Sequence, residues 1–303
     1  MPEHFFRRPM ALNRFLVMAL LQIALIFILA PAAYADLFLW RSQSDAPQIY
    51  IMGSVHALSK KDYPLPGPYE RAFEQSQKVV FEVDLSAQST AKATALMFDM
   101  AALPEGKTLK DILGDKRFER LNKIGLKQGY SLEMMNAFEP WFASLMASQI
   151  LFSNSGLDVS LGVDQHYRDK AKRRGKSIGH LETAKEQFEI FDEMNMRLQV
   201  AFLETAIMDF KEGKAMLDGL MKAWRAGDDK VLSEVMIKEM QKYPGLAESL
   251  LYKRNRNWAE QVDDYFKGRT DTLVVVGAAH LVGPNNLIEL MEEKGYQFER
   301  VDR

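Results

Sequence analysis

Two Gly-x-x-His tetrads, Gly53-Ser54-Val55-His56 and Gly277-Ala278-Ala279-His280, are where this sequence offers chemistry. An imidazole can serve near neutral pH as a general base, a proton carrier or a metal ligand. A glycine ahead of it lets the backbone turn sharply without a Cβ clash. With 18 Gly and 5 His in 303 residues, chance supplies roughly 0.3 such tetrads. Two of them, each directly after an apolar run, point to a shared purpose. The plainer reading, in which each His closes a strand end and bonds a backbone carbonyl, stays open on spacing alone.

Acidic and basic residues that could partner them lie in four other segments. In Lys78-Val79-Val80-Phe81-Glu82-Val83-Asp84-Leu85, strand alternation puts Glu82 and Asp84 on one face and Phe81, Val83 and Leu85 on the other. Glu82 could bind metal, orient an imidazole or act as a general base, while Asp84 reads as a strand-end carboxylate in water. Lys176 to Leu181 could form a short strand with Glu182 at its end, and His180 and Glu182 would then project the same way. Asp164, in Gly162-Val163-Asp164, reads as an acid complementing a helix start. Arg254, in Arg254-Asn255-Arg256-Asn257-Trp258, supplies forked donors suited to a carboxylate or a polarised carbonyl oxygen. Solvated arginines around a packed Trp258 are the alternative. His4 and His166 look incidental, His166 lying on the exposed side of a polar helix.

These side chains need a scaffold that brings distant segments together. Gln48–Met52 and Thr272–Val276 read as buried strands, each ending at Gly and then His. A helix at Pro68–Gln75 leads into the strand that carries Glu82, and a helix at Asn285–Lys294 with Gly295 as its stop leads into a last strand at Gln297–Val301. The expected fold class is α/β: a central mixed sheet built from N- and C-terminal strand-helix-strand halves, with a large helical insertion over about residues 90–267. Ligands of such sheets bind in the crevice beyond the strand ends. Within the insertion, Phe138, Trp141, Phe142, Leu145 and Met146, and again Phe188, Phe191, Met194, Leu198 and Phe202, recur at helical spacing and need packing partners. Pro140 should begin or kink its helix. The abundant Met could line an adaptable peptide groove, but it reads more simply as core filler.

Residues 1–35 are expected to be an export signal. Arg7, Arg8 and Arg14 precede an apolar run from Phe15 to Ala30, and Ala33-Tyr34-Ala35 offers the small-x-small cleavage pattern. Cleavage would leave residues 36–303 as a single domain in the periplasm. An uncleaved segment would instead anchor it in the inner membrane facing the periplasm, and a membrane partner is expected only in that way. Without residues 1–35, basic residues fall from 39 to 36 and acidic from 41 to 40, a net charge of −4. That balance argues against nucleic acid as a partner. There is no Cys, so disulfides, thiolate catalysis and Cys-ligated metal are excluded, and any metal must sit on His and carboxylates.

Taken together, Ile51-Met52-Gly53-Ser54-Val55-His56, Val79-Val80-Phe81-Glu82-Val83-Asp84, Gly162-Val163-Asp164, Leu181-Glu182-Thr183, Arg254-Asn255 with Trp258, and Val275 to Gly283 resemble the TraB/GumN family (TraB, PrgY and GumN proteins). That family is similar to the Tiki metalloproteases and, more remotely, to erythromycin esterases and ChaN-like haem-binding proteins. The resemblance implies that His56, His280 and Glu82 form the active-site signature. It implies a metal-dependent, peptidase-like hydrolase in which a divalent ion (Mn, Co or Zn) activates water. His56 and His280 would be ligands, Glu82 a ligand or base, Glu182 a further acidic group, and Arg254 the oxyanion stabiliser. The expected partner is a peptide or small-molecule substrate. Two other functions stay open: a non-catalytic periplasmic protein that sequesters a peptide or other ligand, as the PrgY resemblance suggests, and a metal-independent esterase.

Overall fold

The computed structural model describes residues 36–44, 47–84, 87–207, 210–241, 243 and 245–303. The expected export signal at 1–35 lies outside them. No helix of the described residues is long and apolar enough to cross a membrane.

Strands β1 (Asp36–Ser42), β2 (Ile49–Ser54), β3 (Lys78–Val83), β4 (Ser177–Glu182), β5 (Thr272–Gly277) and β6 (Phe298–Asp302) form one sheet in the order β4-β3-β5-β2-β1-β6. The four strands β4, β3, β5 and β2 are parallel, and β1 is antiparallel to both β2 and β6. The continuous apolar runs of β2, β3 and β5 follow from their place: parallel strands covered on both faces bury nearly every side chain. The sheet is mixed and the class is α/β, as expected, but its halves are not side by side. β5 is inserted between β2 and β3, and β6 is separated from β5 by β2 and by β1, a strand the apolar pattern did not single out.

The helices, in chain order, are α1 (Gly67–Gln75), α2 (Ala87–Ala101), α3 (Leu109–Leu113), α4 (Asp115–Leu126), α5 (Pro140–Asn154), α6 (Val163–Arg174), α7 (Ala184–Asp192), α8 (Met196–Ala206), α9 (Phe210–Ala226), α10 (Asp229–Gln241), α11 (Lys253–Phe266) and α12 (Leu287–Glu293). In α1, Pro68 stands in the first turn, where its missing N–H costs nothing. This helix buries Tyr69, Ala72 and Phe73, and the Tyr69 hydroxyl accepts the Phe38 N–H of β1 at 3.1 Å. Pro140 does begin α5. The two aromatic stripes of the helical tract pack on one another: Trp141 stacks on Phe191 with centroids 6.0 Å apart, and Phe191 on Phe202 at 5.8 Å. Among its described residues the tract holds one strand, β4, at the place where Lys176–Leu181 allowed one. It lies along β3 with Val83 opposite Glu182.

Candidate active site

Because β2, β3, β4 and β5 run parallel, their C-terminal ends open on one rim of the sheet. Ser54 pairs with Gly277, Phe81 with Val275, and Val83 with Glu182. His56 follows Ser54 by two residues and His280 follows Gly277 by three, so both turns reach the rim that carries Glu82 and Glu182. A Cβ built on Gly277 would lie 3.3 Å from Glu82 Oε1, 3.6 Å from His280 Cδ2 and 4.0 Å from His56 Nε2. One point therefore gathers the two imidazoles and the first carboxylate, from strands far apart in sequence.

The glycines of the tetrads contribute room, not an unusual backbone. Gly277 has φ −54°. A Cβ on Gly53 would meet the Phe38 Cβ at 2.9 Å and the Ala278 Cα at 3.2 Å, so the expectation of a clash-free turn holds through packing. Trp224 Nε1 donates to the Gly53 carbonyl at 2.9 Å and secures the first turn. The Val163 N–H donates to the Val55 carbonyl at 3.0 Å, bringing the start of α6 against it.

Arg254 is the hub. Its Nη2 donates to Glu82 Oε2 at 2.6 Å and to Glu182 Oε1 at 2.7 Å, its Nε to Glu182 Oε2 at 3.1 Å, and its Nη1 lies 3.0 Å from His280 Nε2. The guanidinium stacks over the Trp258 ring at 4.4 Å, and that ring also lies 4.3 Å from the His280 ring. A π-helical turn at Glu248–Tyr252 leads into α11 and sets the phase at which Arg254, Asn255 and Trp258 face the rim. Glu182 is fixed from its other side: Thr183 caps α7, accepting the Glu186 N–H while the Glu186 carboxylate accepts from Thr183.

The His280 tautomer follows from its neighbours. Asn255 uses its Nδ2 on the Asn285 carbonyl at 2.8 Å, which leaves its Oδ1, 2.6 Å from His280 Nδ1, as an acceptor. Nδ1 therefore carries the proton, and Nε2 presents its lone pair to Arg254. Burial holds His280 down to about 3, against the pull of Glu82, so it is neutral. Burial alone would raise Glu82, but Arg254, His280, His56 and the Gly277 N–H, donated at 2.6 Å, outweigh it and hold the carboxyl down to about 2. Burial raises Glu182 above its ordinary value against the pull of Arg254, with Glu82 adding repulsion. Burial works against charge on Arg254 too, and the two glutamates more than restore it.

His56 differs in kind, with its side chain 66% exposed at the mouth of the site. Its Nδ1 lies 3.5 Å from Asp164 Oδ1, and the negative charge of that carboxylate raises His56 to about 9. A cavity of about 360 Å³ opens above His56, Glu82 and Arg254, walled by Leu145, Phe188, Phe191 and Leu250 from the helical tract. The stripes that pack the tract thus also roof the site.

These shifts set a pH dependence of stability. The unfolded chain takes up a proton at His280 below about pH 6.5 that the folded protein refuses, so stability falls as pH drops from there. The contribution of His56 is complete below about pH 6.5 and is lost as pH rises through its folded value of about 9. That of Glu82 is complete above the ordinary carboxylate range and is lost as pH falls through about 2. Urea midpoints measured from about pH 4.5 to 9.5 should peak near pH 6.5. A flat profile would contradict these assignments.

The structure brings His56, His280, Glu82, Glu182 and Arg254 together. It does not pair His180 with Glu182: His180 Nε2 lies 3.8 Å from Asp84 Oδ1 instead. Nor is His166 on an exposed face. Its side chain is 29% exposed, 3.6 Å from Glu70 Oε1 and against the Tyr63 ring at 5.1 Å. Asp164 and Asn255, which lie against the two imidazoles, stand in segments that carry the family resemblance, but their local patterns, a helix-start acid and a helical Asn, gave no sign of that placement.

The donor set does not fit a divalent ion as it stands. Among the described residues no group of three or more His, Cys, Asp or Glu is arranged to hold one. The reason is local: the His280 Nε2 lone pair faces Arg254, Glu82 Oε2 accepts from Arg254, and Glu82 Oε1 accepts from Gly277. A cation bound by His56, His280 and Glu82 would have to displace the guanidinium.

A parallel-centred sheet whose strand ends hold two imidazoles and two carboxylates around one guanidinium defines an α/β protein with a buried ionic site. The chain belongs to the TraB/PrgY/gumN family, whose match covers residues 38–300. It is similar to the Metalloprotease TIKI homolog of Nematostella vectensis, with 25% identity over 87% of this chain and 67% of that protein. It is also similar to Metalloprotease TIKI2 of Xenopus tropicalis, with 23% identity over 89% of this chain and 61% of that one. Metalloprotease TIKI1 of Homo sapiens is 23% identical over 86% of this chain and 61% of its own length. The chain thus spans about three fifths to two thirds of these relatives. No solved structure matches it.

Proposed function

We propose that this chain is an exported, peptidase-like hydrolase that adds water to a carbonyl held between His56 and Arg254. The observation that carries the reading is the convergence of His56 Nε2, His280 and Glu82 within 4.0 Å of the Gly277 Cβ position, at the floor of a walled cavity. The similarity to metalloproteases supports the reaction class, and the basic and apolar start of the sequence supports export.

His56 is the proton acceptor of this mechanism. Asp164 orients its Nδ1 side, leaving Nε2 to take a proton from water as the water oxygen attacks the carbonyl carbon. The same proton then passes to the leaving nitrogen or oxygen as its bond to carbon breaks. Arg254, fixed by two carboxylates, faces the developing oxyanion with its charge already in place. Glu82 holds Arg254 and the Gly277 turn in register. Since Asp164 raises His56 to about 9, the base form accumulates, and turnover climbs, from neutral pH toward that value.

The test is release of new amino termini from a mixed peptide library by the purified protein, with and without a chelator. Turnover that persists in chelator supports the mechanism above. Turnover lost in chelator and restored by Mn, Co or Zn supports the metal version, in which His56, His280 and Glu82 bind the ion after Arg254 moves aside. Tight peptide binding with no product at any pH would replace hydrolysis by the sequestering function.

A further inference from the structure

Arg168, in the second turn of α6, is 2% exposed. Its Nη2 donates to the Val83 carbonyl at 2.9 Å and its guanidinium lies 4.4 Å from the centre of the Phe81 ring, yet its Nε is buried without a hydrogen-bond partner. The acids around it, Asp164, Asp84 and Asp169, act on it through space. Among the described residues none forms an ion pair with it at contact distance. A buried charge is normally paired, because desolvation is costly. Arg254, which lines the same cavity, shows the paired case, with two carboxylates on one guanidinium.

Arg168 lines the cavity that holds His56, Glu82 and Arg254. At about 360 Å³ the cavity falls at the small-ligand end of binding pockets, and the rest of its lining is mostly apolar, with Ser54, Asp164 and Gln187 as the other polar residues. A guanidinium whose Nε has no partner, on the same cavity as the His56–Asp164 pair, defines both the charge and the placement of a ligand. The charge matches a monoanion: a dianion would leave excess negative charge beside Asp164 and Glu82.

We propose that Arg168 anchors a carboxylate of the substrate, so that the site takes acyl substrates carrying a free carboxylate next to an apolar side chain. The carboxylate sits on Arg168, the apolar group lies against Phe188 and Leu145, and the scissile carbonyl is presented to His56. This rests on the hydrolase reading and narrows it to a substrate class. The carboxylate can be the end of a peptide or an acidic side chain, and the two sources are separable.

The experiment is calorimetric titration of the intact protein with N-acetyl-Phe-Phe as the free acid, its C-terminal amide, and N-acetyl-Phe-Asp amide, with product followed in parallel. A charge-assisted bond to a buried guanidinium should make at least one carboxylate-bearing compound bind about tenfold or more tighter than the Phe-Phe amide. Preference for the free acid identifies a chain terminus, and preference for the Asp compound an acidic side chain. In Arg168→Gln the preference should fall below about threefold, and Arg168→Lys, which keeps charge but loses the fork, should lie between. Melting curves separate a purely structural Arg168, whose loss lowers the midpoint without changing the preference. If Arg168→Gln does not fold, the wild-type and Lys titrations still decide. Equal binding of acid and amide, no binding of either acid at about 10 mM, or a preference that survives Arg168→Gln overturns the proposal. Carboxylate-selective binding without product upholds the anchor and removes the hydrolase, whereas product without selectivity does the reverse.

Discussion

Arg254→Met should lower unfolding free energy by about 3–5 kcal/mol and abolish turnover, because breaking a buried ionic cluster strands its other members. The Glu82 and Glu182 side chains are 10% and 7% exposed, and one guanidinium serves both. Without it, two carboxylates at the same rim repel each other in a poorly solvated place, and His280 Nε2 loses its donor. One glutamate must then take up a proton on folding, so the loss should shrink as pH falls toward 4.5. Arg254→Lys should recover only part of the stability, since an ammonium cannot fork to both acids while reaching the imidazole. Urea unfolding across that pH range is the measurement. A Met variant within about 0.5 kcal/mol of the parent would show that the cluster contributes nothing net.

Replacing His56 should produce the opposite profile: a large loss of activity with little loss of fold. As the acid–base group, its removal should reduce kcat by about 10²–10⁴-fold. Its side chain is 66% exposed, so His56→Ala should still fold, and the drop in its melting midpoint should shrink as pH rises toward 9, where pairing with Asp164 no longer contributes. His280→Ala is the useful contrast. His280 is 3% exposed, wedged between Trp258 and Arg254 and tied to Asn255, so its truncation should lower activity and stability together. If His56→Ala kept activity within threefold, the assignment of the base would be wrong even with the rest of the site intact.

What could be read in advance was whatever local pattern encodes. The apolar runs before Gly53 and Gly277 are continuous because β2 and β5 are covered on both faces, and Glu82 stood out as a charge in a strand otherwise buried. Strand order was not legible. That β5 enters between β2 and β3, and that β1 separates β2 from β6, is settled by pairing across more than two hundred residues, on which local periodicity has no bearing. The five candidate residues stand out by type and spacing, while the groups that position or supplement them do not show that role locally, even where they fall in segments that carry the family resemblance. Asp164 looks like any helix-start acid, and Asn255 like any polar residue of an amphipathic helix. Arg168 sits in a run of charged residues whose character suggests a solvated face, and only the packing of α6 onto Phe81 reveals it as buried.

The placement of β5 has a consequence for how the chain is made. β2 and β3, synthesised early, are never bonded to each other, so each keeps a bare row of amides and carbonyls until the segment from Thr272 onward arrives to fill the gap. The segment that carries β5 acts as a keystone: a product stopped short of it would have open sheet edges, apolar flanks and no rim to gather His56, Glu82 and His280. The interval before that keystone arrives is when the protein most needs a chaperone.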